Sequence, residues 1–221
     1  FGGNVKILHL KEENSWLPNL DELKQLTTEH TKLICMNNPN NPTGSLMPDK
    51  MLYDIVEIAK KSNAYILSDE VYRGLNHDKI PFSTSIADIY EKGISTASMS
   101  KVFSLAGLRL GWIAASKEII DEINHQREYN TISVSILDDY FAALAIENKD
   151  KIIKRNLEKI AIGKKILLDW ANSEPKVHLI PPQSGTTAFV RYDAPLPSRI
   201  LCQRLQEETG VMILPGETLE T

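Results

Sequence analysis

Hydrophobic and polar positions change period several times along this chain, and each change marks an element. Val5-Lys-Ile-Leu-His-Leu10 alternates as a half-buried strand does, and Leu20, Leu23 and Leu26 then recur at the spacing of a short amphipathic helix. Lys32 to Met36 is a nearly continuous apolar run, the pattern of a strand buried on both faces of a parallel sheet. It opens into Asn37-Asn-Pro-Asn-Asn-Pro-Thr-Gly44, a loop of turn residues. Pro48 and Asp49 suit the first turn of a helix whose apolar face is Met51, Leu52, Ile55, Val56, Ile58 and Ala59 and which breaks at Ser62-Asn63. Ala64 to Ser68 returns to strand. This succession predicts a β-α-β unit with parallel strands and a right-handed crossover.

From Gly74 to Gly93 the pattern is loop-like, with a weak helical stretch near Ile86 to Tyr90. Ile94 to Ala97 is a short strand that leads to Ser98 and Lys101, and Leu110 to Ala115 is another just beyond Arg109. The link between them is too short for a crossover, so neighbouring strands here should be antiparallel. Helices follow through Ile119, Ile120 and Ile123, from Ile136 to Ile146, and from Lys149 to about Trp170, the last with the mixed charges of a solvated linking helix. Thr187 to Tyr192 reads as a strand and Leu201 to Thr209 as a helix. The expected fold is α/β: a mostly parallel three-layer α/β/α sheet domain over residues 1–149, followed by part of a smaller α+β domain over residues 150–221.

Composition narrows the class. With 42% hydrophobic and 24% charged residues and a formal net charge of -4, the chain is neither disordered nor built for polyanions, so no nucleic-acid partner is expected. The two cysteines, Cys35 and Cys202, lie far apart without metal-ligand spacing, which fits a reduced, cytoplasmic setting and no metal. No apolar run approaches the ~20 residues of a membrane span, and no basic-then-apolar leader opens the chain, so no membrane partner is expected. The start at Phe1 without methionine and the stop soon after Pro215-Gly216 suggest a fragment of a longer protein.

Candidate chemistry gathers at one sheet edge. In an open α/β sheet, ligands sit outside the carboxyl ends of the parallel strands. Asn41, Asp69 with Tyr72, and Ser98 with Lys101 all arrive there, and Arg109 joins them from the antiparallel strand. An amine can form a Schiff base with an aldehyde, a carboxylate can keep a pyridine nitrogen protonated, and an arginine fork with a serine hydroxyl can bind a phosphate. The set suits a phosphorylated aromatic aldehyde, with Lys101 as its chemical centre in a desolvated site.

On these residues the sequence resembles the class I/II aminotransferases of the fold-type-I pyridoxal-phosphate-dependent enzymes. The Asn-Pro-Thr-Gly motif stands at Asn41 to Gly44, the aspartate-x-x-tyrosine motif at Asp69 to Tyr72, and the serine-x-serine-lysine motif with its later arginine at Ser98 to Gly111. The resemblance covers essentially the whole chain. It implies that pyridoxal 5'-phosphate is held by Asn41, Asp69, Tyr72, Ser98, Lys101 and Arg109, with Lys101, Asp69 and Tyr72 catalytic. Lys101 would form the Schiff base and move the proton, Asp69 would pair with the ring nitrogen, Asn41 and Tyr72 would bond the phenolic oxygen, and Ser98 and Arg109 would hold the phosphate. The implied reaction moves an amino group between an amino acid and a 2-oxo acid, in a homodimer. A lyase or amino-acid cyclase on the same scaffold, or a truncated non-catalytic piece, is the alternative. The family's N-terminal phosphate loop and stacking aromatic, and its carboxylate-binding arginine, are expected outside this chain.

Plainer roles exist for each residue. Asp69 can cap a helix, Asn41-Pro42 can make a turn, and Arg109 can close a surface ion pair, although Gly107 and Gly111 beside it suggest close backbone approach. Ser100 can pack beneath the lysine, Arg73 is expected to be structural or substrate-shaping rather than catalytic, and His9, His30, His77, His125 and His178 look incidental.

Overall fold

A computed structural model describes residues 2–78 and 80–219 of the chain; Phe1, Lys79, Glu220 and Thr221 lie outside the described residues, as do the outer ends of the two expected domains. Helix α1 (Leu20–Leu26) is started by Asn19, whose side chain accepts from Asp21 N and Glu22 N. The β-α-β unit follows as β1 (Leu33–Asn37), α2 (Asp49–Ser62) and β2 (Tyr65–Asp69). The short α3 (Ile86–Ile89) leads into β3 (Gly93–Ser98), and β4 (Gly111–Ala114) follows. The four strands form one sheet in the order β1-β2-β3-β4, the first three parallel and β4 antiparallel to β3. The sheet is therefore mostly parallel with one antiparallel edge, as the short link before Leu110 predicts.

Two apolar clusters support it. On one sheet face, Leu52, Ile55, Val56 and Ala59 of α2 pack with Ile66 of β2 and Ile86 of α3, all nearly inaccessible to water. Each such aliphatic side chain contributes on the order of 2 kcal/mol of burial. The second cluster holds Tyr72, Leu75, Met99, Val102 and Phe103 and is closed by Ala142 and Ala145 of α5 (Ile136–Glu147) and Ile153 of α6 (Lys149–Ser173). Asn156 of α6, also buried, donates to Val102 O at 2.8 Å. The expected linking helix is thus solvated along much of its length but anchored near its start. Helix α4 (Lys117–Arg127) precedes these, and β5 (Val177–Leu179), β6 (Val190–Tyr192) and α7 (Ser198–Thr209) complete the fold. Strands β5 and β6 form a separate antiparallel pair.

Two expectations need correction, and one element was not expected. Val5 to Leu10 forms no strand; Lys6 Nζ donates to Leu26 O at 2.8 Å, but no neighbouring strand takes up the ladder that a period-2 pattern requires. β1 is not buried on both faces: it is an edge strand, and Leu33 is 47% exposed on the side away from α2. β5 went unforeseen because three residues are too few to show a period. Apolar side chains are also open on β4, at Trp112 and Ile113, and along the segment holding Tyr129, Ile132 and Ile136. Among the described residues no helix is long and apolar enough to cross a membrane.

Candidate active site

Strand register decides what meets at the sheet edge. Asn37 pairs with Asp69, and Asp69 with Thr96, so these three side chains stand in a row on one face at the carboxyl ends of β1, β2 and β3. Ser98 lies two residues further along the same face and pairs with Gly111 at the start of β4. Arg109 sits just before that pairing, at φ 48° and ψ 35°, a left-handed conformation uncommon for a residue with a side chain. All six candidates therefore belong to the same end of the sheet.

Asn41 is placed by its own loop. Asn37 Oδ1 accepts from Asn41 N at 2.6 Å, and Asn37 Nδ2 donates to Asp69 O at 2.9 Å, tying the first loop to the end of β2. Asn40 Oδ1 accepts from Thr43 Oγ1 at 2.7 Å and Gly44 N donates to Asn40 O at 2.9 Å, so the segment is a turn with the Asn41 side chain left exposed. Turn and ligand roles are compatible here.

Asp69 caps a turn rather than a helix. One carboxylate oxygen, Oδ1, accepts from Val71 N at 3.1 Å, and among the described residues the carboxylate makes no other hydrogen bond or ion pair. The next residue points inward: Glu70 is buried, and its Oε1 accepts from Ile86 N at 2.9 Å. Arg73 donates to Ser83 O at 2.6 Å and lies over Phe82, a structural role as the sequence suggests. Tyr72, only 2% exposed, belongs to the second apolar cluster, and Lys101 Nζ lies 5.8 Å from the centre of its ring.

Lys101 is exposed: the described residues pack beside it but do not cover it. Its amine has no hydrogen-bond or ion-pair partner among them, so it is available to an incoming electrophile. Ser98 Oγ accepts from Ser100 N at 3.3 Å, which gives Ser100 a backbone part in shaping the turn. Arg109 Nη1 donates to Ala106 O at 2.8 Å, which aims the guanidinium from its own turn. Gly111 does mark close approach, since a Cβ there would lie 2.8 Å from Ala97 O; Gly107 has open space around it and does not. No group of three or more His, Cys, Asp or Glu side chains among the described residues is placed to hold a metal ion.

The residue that sequence reasoning missed is His77. Its Nδ1 and Nε2 lie 3.0 and 2.9 Å from Pro182 O and Gly185 O, and its Nδ1 is 3.2 Å from Lys164 Nζ. Burial lowers the pKa of Lys164 below the ordinary lysine value. Nothing in the period of residues 71–80 signals these contacts, because two of them are to backbone carbonyls.

The donor set fits a phosphorylated aromatic aldehyde. It offers an unpartnered amine, a carboxylate with an oxygen to spare, and a guanidinium with N–H groups beyond the one it uses locally.

Comparison with known proteins gives the same direction. The family described as aminotransferase class I and II matches residues 1–221. The chain is 31% identical over 216 residues to a capreomycidine synthase of Streptomyces vinaceus, covering 97% of this chain and 55% of that protein. It is 30% identical over 220 residues to an aspartate aminotransferase of Pyrococcus abyssi, covering 97% and 56%. Among solved structures, a PLP-dependent aminotransferase from Streptococcus suis superposes with a TM-score of 0.92 at 41% identity, over 97% of this chain and 56% of that one. The chain thus spans a little over half the length of these relatives.

Proposed function

Since this chain belongs to the class I and II aminotransferases, we propose that the full-length protein is a pyridoxal 5'-phosphate-dependent aminotransferase that moves an amino group between an amino acid and a 2-oxo acid. The observation that carries this is the unpartnered amine of Lys101 at the sheet edge shared with Asp69 and Arg109. Lys101 would hold the cofactor covalently through its aldehyde. Asp69 would hold the ring nitrogen, Asn41 and Tyr72 the phenolic oxygen, and Ser98 and Arg109 the phosphate. When bound, the cofactor supplies an electron sink for the α-carbon of an amino acid.

The chain's own residues account for the rest. Lys101 Nζ takes the proton leaving the substrate's α-carbon and returns it, the work of a positioned general base and acid. Asp69, fixed by Val71 N, keeps its negative charge aimed at one place. The Arg109 fork, set by its left-handed turn, presents parallel N–H donors to a dianion. Residues 1–149 would form the cofactor-binding part and 150–221 a portion of the smaller domain, in a cytoplasmic homodimer.

Borohydride reduction of the full-length protein loaded with pyridoxal phosphate, followed by peptide mapping, should find the pyridoxyl group on Lys101; a label on any other lysine would refute the assignment. Asp69→Asn keeps an acceptor for Val71 N but removes the charge. It should lower transamination by about 100-fold or more while leaving the fold intact, read by steady-state kinetics alongside circular dichroism. A second reaction class, elimination or cyclisation on the same residues, is compatible with the similarity to a capreomycidine synthase but not favoured by it. Ammonia release without a 2-oxo-acid acceptor would replace transamination with elimination.

A further inference from the structure

Residues Pro182–Gly185 follow β5 and lie across both loops of the site. Gln183 N and Ser184 N both donate to Gly44 O, at 2.8 and 3.0 Å. Gly185 N donates to Leu75 O at 3.1 Å and His77 N to Gln183 O at 2.9 Å. Ser184, which has no exposed surface, donates through Oγ to Asn76 Oδ1 at 3.0 Å, and Asn76 is itself buried. A Cβ at Gly185 would lie 3.3 Å from Tyr72 Cδ1, so the strap also touches the ring of Tyr72. One four-residue segment thus bonds the Asn-Pro-Thr-Gly loop on one side and the turn after Tyr72 on the other.

His77 brackets this strap from outside. Its two ring nitrogens face the carbonyls at the two ends of the segment, Pro182 O and Gly185 O. Lys164 of α6 donates to Pro182 O at 2.6 Å and stands 3.2 Å from Nδ1. With the ring proton on Nε2, Nε2–H donates to Gly185 O, and the ammonium donates to both Nδ1 and Pro182 O, so His77 reaches Pro182 O through Lys164. A neutral alanine would leave Gly185 O without its donor and Lys164 with one acceptor fewer.

We propose that His77 is a positioning residue: by closing the strap Pro182–Gly185 it makes the Asn41 loop and the Tyr72 turn one body, and so fixes the two groups assigned above to the cofactor's phenolic oxygen. This rests on that assignment for its consequence, but not for the coupling itself. His77 touches neither of the two groups; it acts through Gly185 O and, by way of Lys164, through Pro182 O. Loss of a merely stabilising histidine would lower resistance to unfolding without loosening the two loops together.

The test uses full-length protein and three variants, His77→Ala, His77→Gln and Ser184→Ala. Hydrogen exchange of the cofactor-free protein is followed in peptides covering residues 41–46, 72–77 and 182–186, because protected amides report local opening. His77→Ala should speed exchange in all three peptides together and weaken pyridoxal phosphate binding by about tenfold. His77→Gln, which keeps a donor for Gly185 O, should restore both. Ser184→Ala should reproduce the coupled loosening with His77 intact. Faster exchange confined to 182–186, or cofactor affinity unchanged in His77→Ala, would overturn the proposal. If the parent takes up no pyridoxal phosphate at Lys101, the functional assignment falls and the exchange pattern alone decides the strap.

Discussion

Lys101→Ala should cut transamination by the full-length protein by about 10,000-fold or more, the scale of losing a positioned nucleophile and proton carrier. The same substitution should leave stability within about 0.5 kcal/mol, as surface changes without partners do. The first half follows from the role proposed for Lys101, the second from the structure. Lys101 is exposed, makes no hydrogen bond or ion pair among the described residues, and meets Tyr72 only across 5.8 Å, so little of the fold depends on it. Denaturant midpoints and steady-state rates measured on the same preparation check the pair. Activity retained within tenfold would remove Lys101 from the mechanism, and a large fall in stability would show that its amine is a structural group.

Gly44→Ala should have the opposite profile, damaging the fold first. Gly44 has φ +69°, where an L side chain is strained, and an added Cβ would run into the side chain of Pro182 and lie 3.0 Å from Thr187 O and 3.1 Å from Ser184 O. Strain and overpacking each cost about 1–3 kcal/mol, so a loss of about 3 kcal/mol is expected. Because the collision is with the strap, binding of pyridoxal phosphate should weaken with stability. Gly163→Ala provides the contrast: that glycine is inside α6 with open space around it and no positive φ, and alanine there should add about 0.5–1 kcal/mol. Urea midpoints of the two variants, compared at equal slope, decide the matter. If Gly44→Ala is as stable as the parent, the strap is not packed as described.

The sequence revealed the parts of this site that are carried by side-chain type and strand ends. Asp69 and Ser98 end, and Asn41 and Lys101 follow, strands that the sequence pattern marks, and parallel register brings their ends to one edge. The antiparallel turn of β4 was legible because a short link allows nothing else. Exposure of Lys101 was not, since it depends on what else packs there. Val5 to Leu10 shows the converse error: alternation describes a strand only when a partner is present. His77 and Ser184 were hidden for another reason. Their bonds run to carbonyls and to Asn76 from more than a hundred positions away, and neither hydropathy nor local spacing encodes such pairs.

That separation also sets an order in time. Ser184 closes onto Asn76 across 108 positions, and Gln183 reaches Leu46 across 137. A ribosome adding about 5–20 residues per second would finish the Asp69–Tyr72 turn roughly 5–20 s before it supplied the segment that clamps it. During that interval the nascent chain holds Tyr72 and Leu75 without Gly185 over them, and Asn76 without its buried hydroxyl partner. Slow translation through residues 77–182 would lengthen the exposure of these groups to chaperones and proteases, whereas rapid translation there would shorten it.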